Sequence, residues 1–279
     1  MTLNRRDFLK WSGAALSSAV LKPFPPDEDR PQATGLGRVT DWRIWAYHEP
    51  RPGARREVAL TRDQVVTVLD TVSTEGLLAH NPVWNLTKYG WVYSSWVQPV
   101  ARKINPAVKK MPPSGFWAEV SVPFTDLRAA PRDAAALLYR LYYSSVHLVV
   151  GWVADVDGVV WYQLKDDQYE GRLEYVRAKA LRPISPEELT PLSPGVKDKR
   201  LEVNIKEQRL YAYEGDRVVY TARCATGAAF TIEGGVVDFT TPQGEHTVVR
   251  KRPSRHMTGF LGRADEYDLP GVPYCTYFT

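Results

Sequence analysis

The sequence predicts a mainly β chain made of two small barrels followed by a third, incomplete β region. Three observations carry that expectation. Apolar and polar residues alternate in short runs along most of the chain, and turn residues separate those runs. A length of 279 residues suits more than one domain. With 44% hydrophobic and 11% aromatic residues, the chain can fill several cores.

The N-terminus is read first. Asn4-Arg5-Arg6-Asp7-Phe8-Leu9-Lys10 precedes a mildly apolar stretch from Trp11 to Leu21 that is too short to span a bilayer. Ser12, Gly13, Ser17 and Ser18 dilute that stretch, and Lys22 follows it. This segment resembles a twin-arginine export signal, with Arg5 and Arg6 as the signal pair. The resemblance implies export by that route to the cell envelope or beyond. An ordinary secretory signal with a basic start is the plainer alternative. No cysteine lies nearby to carry a lipid anchor. Residues 23–36 are rich in proline and charge and read as an extended linker.

Residues 37–100 form the first β module. Val65-Val66-Thr67-Val68-Leu69, Val83-Trp84-Asn85-Leu86 and Tyr89-Gly90-Trp91-Val92-Tyr93 are short β-rich runs at the spacing of a small barrel. The stretch from Trp84 to Val92 resembles the end of bacterial SH3-like domains, where a Gly-Trp pair closes the barrel. Residues 116–185 repeat the theme through Ala118–Pro123, Val149–Val153, Val159–Leu164 and Tyr175–Ala178. Asp155-Val156-Asp157-Gly158 lacks the further ligands of a calcium loop and reads as a hairpin turn. Trp84, Trp91, Trp96, Trp117, Trp152 and Trp161 are first of all core material. Stacking on glycan is the minor reading for them.

The third region, residues 197–279, carries the chemistry. Leu201-Glu202-Val203-Asn204-Ile205 alternates, Lys206–Arg209 can turn, and Leu210-Tyr211-Ala212-Tyr213 resumes the pattern. After a turn at Glu214–Arg217, Val218–Cys224 runs into Ala225-Thr226-Gly227, and a loop leads to Thr241-Pro242-Gln243-Gly244. Each piece alone is a common strand or turn. Their order and spacing resemble the opening of an L,D-transpeptidase (YkuD-like) catalytic domain. Arg255-His256-Met257 resembles the segment that borders the substrate cleft in that family. Leu269–Tyr274 resembles the strand entry that precedes its catalytic histidine.

That resemblance implies a β-sandwich and a reaction through a cysteine acyl-enzyme. A peptidoglycan stem peptide would be accepted, a thioester formed with loss of the terminal D-residue, and the acyl group passed to an amine of another stem. Arg255, His256, Met257 and Tyr274 would bind or border the substrate. No cofactor and no metal are implied. The family signature, His-Gly and then Ser-His-Gly-Cys-x-Asn, does not occur in the 279 residues. Its His and Cys are therefore expected beyond Thr279, and the chain as it stands is expected to be inactive. A free thiol, with a pKa of about 8.5, needs an imidazole partner to react at neutral pH.

The cysteines and histidines present do not replace the missing motif. Cys224 and Cys275 sit in alternating runs and read as small core or strand residues. Spacing leaves a disulfide between them open. His48, His80, His147 and His246 have no motif context, and no His, Cys, Asp and Glu set has metal-ligand spacing.

A net charge of +4 suits an anionic envelope. Nucleic acid is not an expected partner, because Lys and Arg are scattered and offset by 32 acidic residues. The expected partners are peptidoglycan stem peptides and glycan, with the protein peripheral to membrane or wall. A non-catalytic wall-binding protein is the first alternative. A cysteine peptidase of the kind that follows SH3-like modules ranks last, because it needs its Cys early in the domain and its His later.

Overall fold

The computed structural model describes residues 35–169, 171–232, 235–259 and 267–278. Arg5, Arg6 and the linker expected at 23–36, apart from its last two residues, lie outside the described residues. The chain is mainly β, with 56% strand and 4% helix. It divides into two units, one drawn from residues up to Ile184 together with Val248–Tyr277, the other centred on Ser185–Thr247.

Within the first unit, residues 35–100 form β1 (Gly35–Val39), β2 (Arg43–Tyr47), β3 (Arg56–Thr61), β4 (Val65–Val68), β5 (Asp70–Leu78), β6 (Asn81–Thr87), β7 (Gly90–Tyr93) and β8 (Val97–Val100). They pair as a three-stranded sheet, β4-β1-β8, and a five-stranded sheet, β3-β2-β7-β6-β5. Alternation places Val39, Val66 and Val97 of the first sheet and Ile44, Ala46, Leu60 and Val92 of the second in one core. A neighbouring cluster holds Tyr47, Ala54, Trp84 and Tyr93. Trp84 is fully buried, and its indole N–H donates to the Glu75 carbonyl at 2.9 Å, so the polar end of the ring is satisfied.

The chain continues through β9 (Phe116–Val120), β10 (Phe124–Arg128), β11 (Leu137–Tyr142), β12 (Val146–Ala154), β13 (Val160–Lys165), β14 (Glu174–Arg177) and β15 (Leu181–Pro183). These form one sheet in the order β11-β10-β14-β13-β12-β9-β15. Residues from all seven strands, including Leu141 and Leu181 at its two edges, meet in a single core. A flat sheet cannot bring both edges to one core, so this sheet curls. Complete burial of Leu127, Leu141 and Leu181 contributes about 1.5–3 kcal/mol each. Among the described residues no sheet closes on itself. The expected barrels are thus seen here as two sheets over a shared core and as one curled open sheet.

Asp63 ties these two β regions together. It accepts from Arg38 of β1 at 2.7 Å and from Arg140 of β11 at 2.9 Å, while the Arg38 guanidinium stacks 4.0 Å from the centre of the Tyr142 ring. The Asp155–Gly158 segment joins β12 to β13. The Asp155 carboxylate accepts from the N–H groups of Asp157 and Val159, and Gly158 takes the left-handed conformation that the turn requires.

The second unit holds β16 (Lys199–Asn204), β17 (Arg209–Glu214) and β18 (Arg217–Arg223) as an antiparallel meander, then the hairpin of β19 (Ala229–Ile232) and β20 (Gly235–Asp238). Gln208 holds the turn end of the meander, donating to the Thr226 hydroxyl at 2.7 Å and accepting from the Thr226 N–H at 2.9 Å. The long strands β21 (Val248–Gly259) and β22 (Tyr267–Phe278) pair with each other. All but the last residue of this pair belongs to the first unit.

Candidate functional site

The β21–β22 pair meets the curled sheet near the ends of β12 and β13. At that junction Lys165-Asp166-Asp167 leaves β13, and Arg252-Pro253-Ser254-Arg255-His256 runs along β21. Apart from Arg255, these residues line a cavity of about 180 Å³ together with His147 and Gly271. Ligand pockets usually span about 300–1,000 Å³, so this cavity suits a single small group and not a whole substrate.

His256 is the centre of the arrangement. It is 2% exposed, and both ring nitrogens face carboxylates: Nδ1 lies 2.7 Å from Asp166 Oδ2, and Nε2 is hydrogen-bonded to Asp268. Its backbone N–H donates to Asp167 Oδ1 at 3.0 Å. Burial opposes a charged ring, but the hydrogen bonds and charges of Asp166 and Asp268 outweigh it and raise the pKa above the ordinary histidine value. An imidazolium donating from both nitrogens has no lone pair left to accept a proton. His256 is therefore a fastening residue in this geometry and not a general base.

Asp166 responds in kind. Burial works against its charge, yet the hydrogen bonds from His256, Tyr139 and the Gln168 backbone hold its pKa down to about 2. The Tyr139 hydroxyl stands between Asp166 and Glu174, 2.8 Å from Glu174 Oε2. Burial raises the Glu174 pKa against the opposing pull of Tyr139 and Arg172. One hydroxyl proton lies between two carboxylates, so Tyr139 completes both bonds only when Glu174 is protonated. The rings of Tyr139 and Tyr169 pack edge-on to His256 at 5.3 and 5.7 Å.

Asp167 neutralises the basic stretch. Its Oδ2 accepts from Arg252 at 3.0 Å and from Arg255 at 2.6 Å. Alternation along β21 then turns Met257 outward, where it is 40% exposed. On β22, Gly271 lies against the buried His147 imidazole with φ of +75°, and a Cβ there would sit 2.4 Å from His147 Nε2. His147 Nε2 is in turn 2.9 Å from Ser145 Oγ, and burial lowers the His147 pKa to about 4. Tyr274 also takes a left-handed backbone, with φ of +55°.

The structure thus brings Arg255 and His256 to the Asp166–Asp167 pair and leaves Met257 exposed. Sequence reasoning passed over Asp166, Asp167, Tyr139 and Asp268, and set His147 aside for want of a motif. The adjacent acidic pair at 166–167 is the one local signal that could have marked them. Cys224 and Cys275 are both free thiols. The Cys275 Sγ lies 3.4 Å from the Val272 carbonyl, and burial, followed by the Asp167 charge, raises its pKa. That is the reverse of what a nucleophile needs. Among the described residues neither thiol is hydrogen-bonded to an imidazole, and no group of His, Cys, Asp and Glu could hold a metal ion.

Residues 198–276 match the L,D-transpeptidase catalytic domain (YkuD). The L,D-transpeptidase match includes β21 and most of β22, so Arg252, Arg255, His256, Gly271 and Tyr274 fall inside it. Asp166, Asp167, Tyr139 and His147 fall outside it. No curated protein matches the chain. Among solved structures, NlpC2 and NlpC1 from Trichomonas vaginalis are each 16% identical, cover 58% of this chain, and are themselves covered over 52% and 50% of their lengths, each with a TM-score of 0.20. The chain therefore spans about half the length of these proteins, and so low a score bears on neither fold nor function.

Proposed function

We propose that this chain belongs to a cell-wall acyltransferase of the L,D-transpeptidase type, acting on peptidoglycan stem peptides. The match over residues 198–276 supports this reading. In it, Arg255, Met257 and Tyr274 border the peptide cleft. His256 sets the position of β21 by fastening it to Asp166. The family's His-Gly and Ser-His-Gly-Cys segments, which carry its imidazole and thiolate, do not occur in the 279 residues. The two N-terminal β regions act as SH3-like modules that hold the protein to the wall, and Arg5 and Arg6 direct export by the twin-arginine route.

Carbapenems acylate the nucleophilic cysteine of L,D-transpeptidases, so intact mass spectrometry tests the assignment. The 279-residue protein is expected to remain unmodified, whereas an L,D-transpeptidase that carries the complete Ser-His-Gly-Cys motif is expected to give a one-drug adduct under the same conditions. A stoichiometric adduct on the 279-residue protein that disappears in Cys275→Ser would overturn the assignment of roles. An unmodified 279-residue protein that is retained on purified peptidoglycan would favour a non-catalytic wall-binding protein. The absence of an imidazole partner for either thiol is the observation that keeps this second reading in view. For export, Arg5→Lys with Arg6→Lys is expected to hold the protein in the cytoplasm, because the signal is read by residue identity and not by charge alone. Unchanged secretion would point to the general route.

A further inference from the structure

A second cavity, of about 290 Å³, shares no lining residue with the one at His256 and lies between β4 and the start of β10. Val122 and Phe124 form apolar wall, and Ile104, 59% exposed, forms a lip. Arg102, Lys179 and Arg177 supply the charge, and no acidic residue lines the cavity. Arg177 is held by Asp133, with Nε 3.0 Å from Oδ1. The side chains of Arg102 and Lys179 have no hydrogen-bond or ion-pair partner among the described residues. The walls are fixed in place: Ser121 bonds to the backbone of Lys103 and Ala180, and Arg140 stacks on the Phe124 ring at 4.2 Å while bridging to Asp63.

Two unpaired cations beside an apolar wall select an anion that also carries an aliphatic group. The volume lies at the lower edge of the usual range for small-ligand pockets, about 300–1,000 Å³. A bare phosphate would leave the apolar wall unused, and a nucleic acid would need a longer basic track. We infer that this cavity is a binding site for a short acidic peptide, with its carboxylate between Arg102 and Lys179 and a small aliphatic neighbour against Val122 and Phe124. This site is independent of the acyltransferase reading, since none of its residues lies within 198–276.

The test is calorimetric titration of the full chain with N-acetylated, C-amidated Ala-Glu-Ala and with its Ala-Gln-Ala counterpart. The acidic peptide is expected to bind, and the glutamine peptide to bind on the order of tenfold more weakly, as loss of two partly exposed charge contacts implies. Arg102→Gln with Lys179→Gln should produce a similar loss. Both residues are exposed, so the fold is preserved, and circular dichroism confirms it. As a second variant, Arg102→Glu should abolish binding. Equal affinity for the two peptides, no binding of either, unchanged binding by the double variant, or equally tight binding of inorganic phosphate would each overturn the proposal.

Discussion

Nδ1 of His256 and Oδ2 of Asp166 lie 2.7 Å apart although 90 positions separate them in sequence. This contact joins the β21–β22 pair, most of which falls inside the L,D-transpeptidase match, to a curled sheet that falls outside it. Removing one partner of a buried ion pair strands the other charge. Asp166→Asn is therefore expected to destabilise the first unit by about 3 kcal/mol. Hydrogen exchange in residues 248–259 should accelerate with it. If their protection is unchanged, the pair does not hold the strand.

The same cluster sets a pH profile. His256 has a raised pKa, so its contribution is complete below the unfolded value, about 6.5, and is lost as pH climbs through the folded pKa. His147 works in the opposite sense. Buried neutral with a pKa of about 4, it costs stability progressively as pH falls from about 6.5, where the unfolded ring begins to protonate. Asp166, depressed to about 2, adds a further loss as pH falls below about 3.9. Glu174 partly offsets these acid losses, because its raised pKa lets it protonate more readily in the folded state. Stability should therefore peak near pH 6.5 and fall by about 3 kcal/mol on the way to pH 4. Urea titrations across pH 4–9 measure this, and a maximum below pH 5 would refute it. His147→Gln should flatten the acid limb.

Gly271→Ala tests the seat of β22. The added methyl would meet the His147 ring in a left-handed backbone conformation, so a loss of about 2 kcal/mol or more is expected. Gly158→Ala is the control. It shares the left-handed conformation but has nothing within 4 Å of its Cβ, and should lose only about 1–2 kcal/mol. Thermal melts of the two variants separate the steric cost from the backbone cost. Equal losses would mean that His147 yields freely.

Trp84→Ala should cost about 3–5 kcal/mol, because a fully buried ring and its hydrogen bond to Glu75 are both removed. Trp42→Ala, at a position 79% exposed, should be nearly silent by the same melts. A silent Trp84→Ala would show that this ring serves a surface role.

Alternation made β16, β17 and β18 legible, since Leu201–Ile205, Leu210–Tyr213 and Val218–Cys224 show the two-residue period directly. β10 and β11 carry no such signal. Their charged Asp126 and Arg140 interrupt any apolar pattern, yet they pair across the two strands, with Arg140 Nε 2.9 Å from Asp126 Oδ1. At the site, Arg255 and His256 stood out through a local motif. Asp166 and Asp167 did not, because a charged dipeptide after a strand looks like any exposed turn. Their partners on β21 lie 85 to 90 positions downstream, a distance that no local pattern spans.

The Asp63 hub has a consequence for handling the protein. Because Arg38, Arg140 and Tyr142 converge on a single carboxylate, the regions on either side of residues 101–115 are not beads on a string. A protease that nicks the connecting stretch should leave two fragments that co-elute on a sizing column and part only in denaturant. Tension applied to one β region would pass to the other through side chains, bypassing the peptide tether.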